Sequence, residues 1–144
     1  MEYKFYGFNT QAIKPINKEY EKIIDQRHLY DILKTIWSKE TCAPRMQDRW
    51  SKDNYTLGQC SITSFLVQDI FGGYVYGILL DDGNYHCYNV IGDIIFDLTS
   101  EQFDHELIYD KKYLQSRCNH FKKEEKYNRY LYLKNELNKK LKLL

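Results

Sequence analysis

With 144 residues, 43% hydrophobic and 28% charged, the chain has an ordinary globular composition and is long enough to bury a core without disulfides or metal. No stretch approaches the roughly eighteen apolar residues a membrane span requires, and MEYKFYGFNT lacks a basic segment followed by an apolar run, so the expectation is one cytoplasmic domain over residues 1–144. Formal net charge is only +1, yet Asp110 to Leu144 hold eleven Lys or Arg against four Asp or Glu, a basic tail without a recognised nucleic-acid motif.

Residues 1–16 alternate loosely through Tyr3, Phe5 and Phe8 and suit a short strand or an arm on the core. Asn17 reads as a helix cap. Tyr20, Ile23, Ile24, Leu29, Ile32, Leu33, Ile36 and Trp37 then predict one amphipathic helix, or two with a break near Asp25, with His28 as an exposed helical histidine. From Ser38 to Gln59 the periodicity disappears, and loops of that length are usually functional or disordered. Ending on Cys60, the loop is read as a cleft wall that Trp50 packs across, with Gln47 and Gln59 as candidate side-chain amides for an oxyanion.

The stretch Gly58 to Gly73, GQCSITSFLVQDIFGG, predicts a helix enclosed on most sides, started at Cys60 and stopped by the glycine pair, with Asp69 its only charge. Unpaired N–H groups and the positive dipole end at its first turn favour thiolate at Cys60. Read structurally, Cys60 is a small buried hydrophobe, so the catalytic reading depends on finding a base.

Three strand patterns follow: YVYGILL at 74–80, YHCYNVI at 85–91 and IIFDLT at 94–99, separated by turns at 81–84 and at Gly92-Asp93. A two-residue turn at 92–93 sets 91 opposite 94, 90 opposite 95 and 88 opposite 97. His86, Tyr88 and Asp97 then share one face, and Cys87 and Asn89 share the other. Thr99 or Ser100 caps a short turn through Glu101-Gln102-Phe103. A C-terminal helix over about 119–143 carries Tyr127, Tyr130, Leu131, Leu137 and Leu141 as an apolar stripe among lysines. The lysines are read as a solvated face, so neither nucleic acid nor membrane is an expected partner.

Cys60, His86 and Asp97 thus supply a candidate nucleophile, base and orienting carboxylate, with Trp50 and Tyr88 as candidate cleft residues. The four cysteines, Cys42, Cys60, Cys87 and Cys118, are too widely spaced for a disulfide framework. Without a C-x-x-C pair, Cys118 and His120 do not make a zinc site, so neither metal nor cofactor is expected.

A cysteine at a helix start, a histidine on the following sheet and an aspartate on the next strand resemble the papain-like superfamily, especially transglutaminase-like and NlpC-type cysteine enzymes. More closely, TLGQCSITSFLVQDIFGG and HCYNVIGDIIFDLTSEQF resemble the YunG-like group of small bacterial proteins over roughly residues 36–103. That resemblance implies an α+β papain-like fold with a core over about 18–103, in which a buried cysteine-headed helix covers an antiparallel meander. It implies roles for Cys60, His86 and Asp97 by position. Cys87-Tyr88 stands where the family usually has a Tyr-Trp pair, and Tyr55 where it has a proline. The expected activity is cysteine hydrolysis of, or acyl transfer from, a peptide, amide or protein side chain. The alternative is a catalytically silent binding module on the same scaffold.

Overall fold

A computed structural model describes residues 2–144. Its architecture is α+β: a four-stranded antiparallel sheet in the order β3-β2-β1-β4, covered on one face by helices. The strands are β1 (Tyr74–Leu79), β2 (Tyr85–Ile91), β3 (Ile94–Phe96) and β4 (Tyr113–Leu114), and the helices are α1 (Gln26–Lys34), α2 (Cys60–Phe71), α3 (Arg117–Phe121) and α4 (Glu124–Lys142). No helix among the described residues is long and apolar enough to cross a membrane.

The chain breaks at Asp25, whose side chain accepts from the His28 N–H and caps α1, after a 3-10 turn at Lys18–Tyr20 capped by Asn17. His28 is half-buried; its Nδ1 accepts from the Ile24 N–H at 2.9 Å and so fastens this corner.

The central helix is α2. Eight of its twelve residues are buried, because it lies between the sheet and α4 and so needs apolar side chains on most faces. It begins at Cys60 and stops at Gly72 and Gly73, whose φ angles of 83° and 76° only glycine adopts readily. The Cys87 and Asn89 face of β2 meets it: Cys87 belongs to the core, and Asn89 Nδ2 donates to the Ser64 carbonyl at 2.9 Å.

The β2–β3 register is Asn89–Phe96, Val90–Ile95 and Ile91–Ile94, which continued by one step sets Tyr88 opposite Asp97. The His86, Tyr88 and Asp97 face is therefore turned away from α2 and is covered by the chain after β3. Tyr109 packs edge-on against Tyr88 at 4.9 Å, and Phe103 likewise against His86 at 4.8 Å. Residues 2–16 form an arm whose Tyr6 bridges Asp97 and stacks on Tyr109 at 3.9 Å.

The arm lies so close to β3 that a Cβ on Gly7, where φ is 83°, would sit 2.4 Å from the Ile95 carbonyl oxygen. Gly7→Ala is expected to cost on the order of 2 to 3 kcal/mol through positive φ and lost arm docking, measured by denaturant unfolding. A loss below about 0.5 kcal/mol would show that the arm contributes nothing to stability.

Two expectations are corrected. The C-terminal helix is broken into α3 and α4, with Ser116 capping the first. Its buried stripe is Tyr130, Leu133, Leu137 and Leu141, whereas Tyr127 and Leu131 are each 41% exposed. Spacings of three and four residues from Tyr130 follow the side that meets α2, and Leu131 lies about 100° off that line.

Candidate functional site

Cys60, His86 and the wall residues Ala43 to Met46, Leu57 and Gly58 border one cleft of about 720 Å³. The aperiodic loop forms that wall by a 3-10 turn at Pro44–Arg49, tied by the Ala43 N–H donating to the Gly58 carbonyl at 2.9 Å. A second cavity of about 720 Å³, between the arm and residues 100–109, contains no cysteine.

Cys60 is the first residue of α2. Thr63 supplies the first N–H bonded back, to the Gln59 carbonyl, so those of Cys60, Ser61 and Ile62 have no backbone acceptor. The Cys60 sulfur lies 4.0 Å from the Tyr85 carbonyl oxygen, at the start of β2, where it meets the side chains of His86 and Cys87. Hydrogen bonding from the Cys87 thiol, followed by the charge and hydrogen bond of His86, holds Cys60 well below the usual thiol range against the opposing effect of burial.

His86 is 1% exposed, and its Nε2 donates to Asp97 Oδ2 at 2.6 Å, which leaves Nδ1 as the nitrogen for the thiol. Burial opposes the charged ring, but the Asp97 carboxylate and the Cys60 thiolate together push it up to about 10. Asp97 is saturated: Oδ2 also accepts from the Tyr109 hydroxyl at 2.8 Å, and Oδ1 accepts from the Thr99 N–H at 3.1 Å and its hydroxyl at 3.2 Å. A carboxylate is the one side chain of this size able to accept on both oxygens without donating.

The remaining sequence-predicted residues are not brought to the thiol. Gln59 is fully buried with Nε2 on the Ser38 carbonyl at 3.1 Å, and Gln47 Nε2 is held by the Cys42 carbonyl at 3.2 Å. Trp50 Nε1 donates to the Tyr55 carbonyl at 2.9 Å, and its ring is not part of the cleft wall. Tyr88 is fully buried beneath Tyr109, and its hydroxyl accepts from the Lys111 N–H at 2.9 Å. A loop glutamine or tryptophan announces no direction in sequence, and here each was needed to satisfy a local carbonyl.

Cys87 is the residue that sequence reasoning missed. Strand parity puts it opposite His86, and α2 covers that opposite face, so the thiol heading α2 meets it from the core side while His86 reaches the same thiol from the strand start. The signal was the adjacency of Cys87 to His86. Cys87→Ala removes the S–H donor, so the Cys60 titration is expected to move up while His86 still keeps it below the ordinary thiol value. Alkylation rate against pH measures it, and an unmoved midpoint would mean that Cys87 only fills space.

The model of the family described as "YunG protein" matches residues 25–142, so the chain belongs to that family. It is 34% identical over 82 residues to "Uncharacterized protein YunG" of Bacillus subtilis (strain 168), a match over 57% of this chain and 66% of that protein, just under two thirds of the relative's length. No solved structure matches the chain.

Proposed function

We propose that this protein is a cytoplasmic papain-like thiol hydrolase or acyltransferase that cleaves an amide, peptide or isopeptide bond through a thioester. The observation that carries the proposal is the 2.6 Å bond from His86 Nε2 to Asp97, set beside a thiol at a helix N-terminus in an open cleft. A merely structural histidine–aspartate pair has no need of a neighbouring thiol held well below its usual range.

The Cys60 thiolate attacks the acyl carbon, forming the C–S bond, and the carbonyl electrons move to oxygen. Backbone N–H groups of Cys60 and Ser61 hold that oxyanion, since the two glutamines are occupied elsewhere. The His86 imidazolium gives its Nδ1 proton to the leaving nitrogen as the C–N bond breaks. Water or an acceptor amine then attacks the thioester, with neutral His86 taking and keeping its proton, and the C–S bond breaks to release the thiolate, which restores the thiolate–imidazolium pair. Asp97 keeps the ring orientation throughout.

Activity-based profiling of the pure protein with peptide and amide electrophiles tests the reading. Cys60 is expected to be acylated and then released by water or amine, with Cys60→Ser inert. Labelling that stays on Cys118, which is exposed, or acylation of Cys60 that never turns over, supports the binding module instead.

A further inference from the structure

We infer that the acyl donor is anionic, carrying a carboxylate that seats on the α3–α4 wall of the cleft against Lys126 and Lys123. The inference rests on the thiol-hydrolase reading above and gives its substrate class. The basic tail seen in sequence is only partly a solvated face: Lys123, Lys126 and Arg129 turn into the cleft that holds Cys60, joined from the opposite wall by Arg45 and Arg49. Asp82 and Glu125 are the carboxylates on that lining, and each is already used. Asp82 lies 3.6 Å from Arg45, and Glu125 pairs with Arg129, which also donates to the Thr41 carbonyl at 3.0 Å. Among the described residues, no carboxylate pairs with Arg49, Lys123 or Lys126. The thiolate, the His86 imidazolium and the Asp97 carboxylate sum to one negative charge against the three unpaired cations of the lining, so an entering ligand meets a net positive wall.

Lys126 is built into place. Its Nζ donates to His120 Nδ1 at 2.9 Å, and His120 Nε2 donates to Gln115 Oε1 at 2.8 Å, which fixes the tautomer. His120 packs on Phe65 at 5.1 Å, beside the second turn of the helix that Cys60 starts. Burial, then Lys126, pushes His120 down to about 4, so the ring serves as a neutral acceptor that positions the ammonium and does not compete with it. Burial also lowers Lys126 itself, a cost that a carboxylate partner removes. On the α3–α4 wall the one arginine, Arg129, is spent on Glu125, and the unpaired point charges of its two lysines fit a single carboxylate.

The test uses two alkylating reagents of nearly the same size, iodoacetate and iodoacetamide; each forms an S–C bond to the thiolate with loss of iodide, and they differ in charge. The ratio of their rates at Cys60, resolved by mass spectrometry and divided by the same ratio for N-acetylcysteine, cancels the thiolate fraction. On the inference this ratio is on the order of tenfold in wild type, falls severalfold between 20 and 500 mM salt, and approaches one in Lys126→Met. Lys123→Gln lowers it less, and Lys139→Gln, paired with Glu136 elsewhere on α4, leaves it unchanged. Should Lys126→Met not fold, the wild-type ratio, its salt dependence and Lys123→Gln still decide. A wild-type ratio near one, or one indifferent to both cleft lysines, overturns the inference while fast iodoacetamide labelling leaves the hydrolase reading standing. Slow labelling of Cys60 by both reagents overturns that reading itself. Protection by N-acetylglutamic α-amide identifies a side-chain carboxylate and protection by N-acetylalanine a peptide C-terminus, whereas equal protection by neutral N-acetylalaninamide contradicts an anionic donor.

Discussion

Asp97→Asn is expected to slow alkylation of Cys60 most strongly on the acid side of neutrality, severalfold or more at about pH 5 to 6, because the reactivity midpoint moves up toward neutral pH while the protein stays folded. The reason lies in the four donors around the carboxylate. His86 and Tyr109 point at Oδ2, and the N–H and hydroxyl of Thr99 point at Oδ1. An amide offers one acceptor and one donor, so whichever way the substituted side chain turns, its NH₂ faces two groups that need an acceptor. If the NH₂ faces His86, the ring must turn the wrong tautomer toward it. If it faces Thr99, the imidazolium still loses the charge that raises it. Unchanged reactivity in a folded Asp97→Asn protein would mean that the carboxylate is structural only.

An effect on stability as large as that of Gly7→Ala is expected at the other end of α2. Asp69 is bridged by Arg117 at 2.8 Å, and Arg117 also donates to the Tyr130 hydroxyl at 2.8 Å and lies 5.2 to 5.7 Å from the rings of Tyr130, Phe121 and Phe65. One guanidinium thereby joins α2, α3 and α4. Arg117→Met keeps much of the stacking volume but removes the countercharge of a carboxylate that is only 21% exposed, which is expected to cost about 2 to 3 kcal/mol. For a chain of this size the melting temperature should fall by roughly 5 to 10 °C. Asp69 stands nine residues along the helix from Cys60, about 13 Å at the usual rise, so thiol reactivity per folded molecule should be nearly unchanged. A melting temperature within a degree of wild type would contradict this linkage.

The parts of this arrangement that were legible in sequence are those encoded by short-range rules. Glycines bracket α2 because they alone tolerate its terminating angles, and the Gly92-Asp93 turn sets the parity that aligns His86 with Asp97. The apolar enclosure of α2 was readable because the helix is sandwiched, which leaves few polar positions. What escaped is what long-range packing decides. Strand β4 is two residues long and exists by pairing with the edge of β1, so Tyr113 and Leu114 show no alternation to read. The buried line of α4 depends on the angle at which it meets α2, and this brought in Leu133 and left Leu131 half exposed. Gln47, Gln59 and Trp50 were placed by nearby carbonyls that a linear reading cannot see. Asn89 is a case where strand parity was readable but the consequence was not. Its side chain anchors Ser64 of α2, so Asn89→Ala costs stability even though it faces away from His86.

On the proposed mechanism Cys60 and His86 exist as a thiolate–imidazolium pair. The signs follow from the two shifts: Cys60 is held well below the usual thiol range, and His86 is raised to about 10, so between those limits both groups are charged. The rate of iodoacetamide labelling at Cys60, resolved by mass spectrometry from pH 4 to 11, tests this most directly. The expected profile is a rise well below neutrality, a plateau through neutral pH, and a second change near pH 10 as the imidazolium loses its proton. His86→Ala should erase the plateau and return the midpoint toward the ordinary value of about 8.5. A single titration near 8.5 in both proteins would contradict the account.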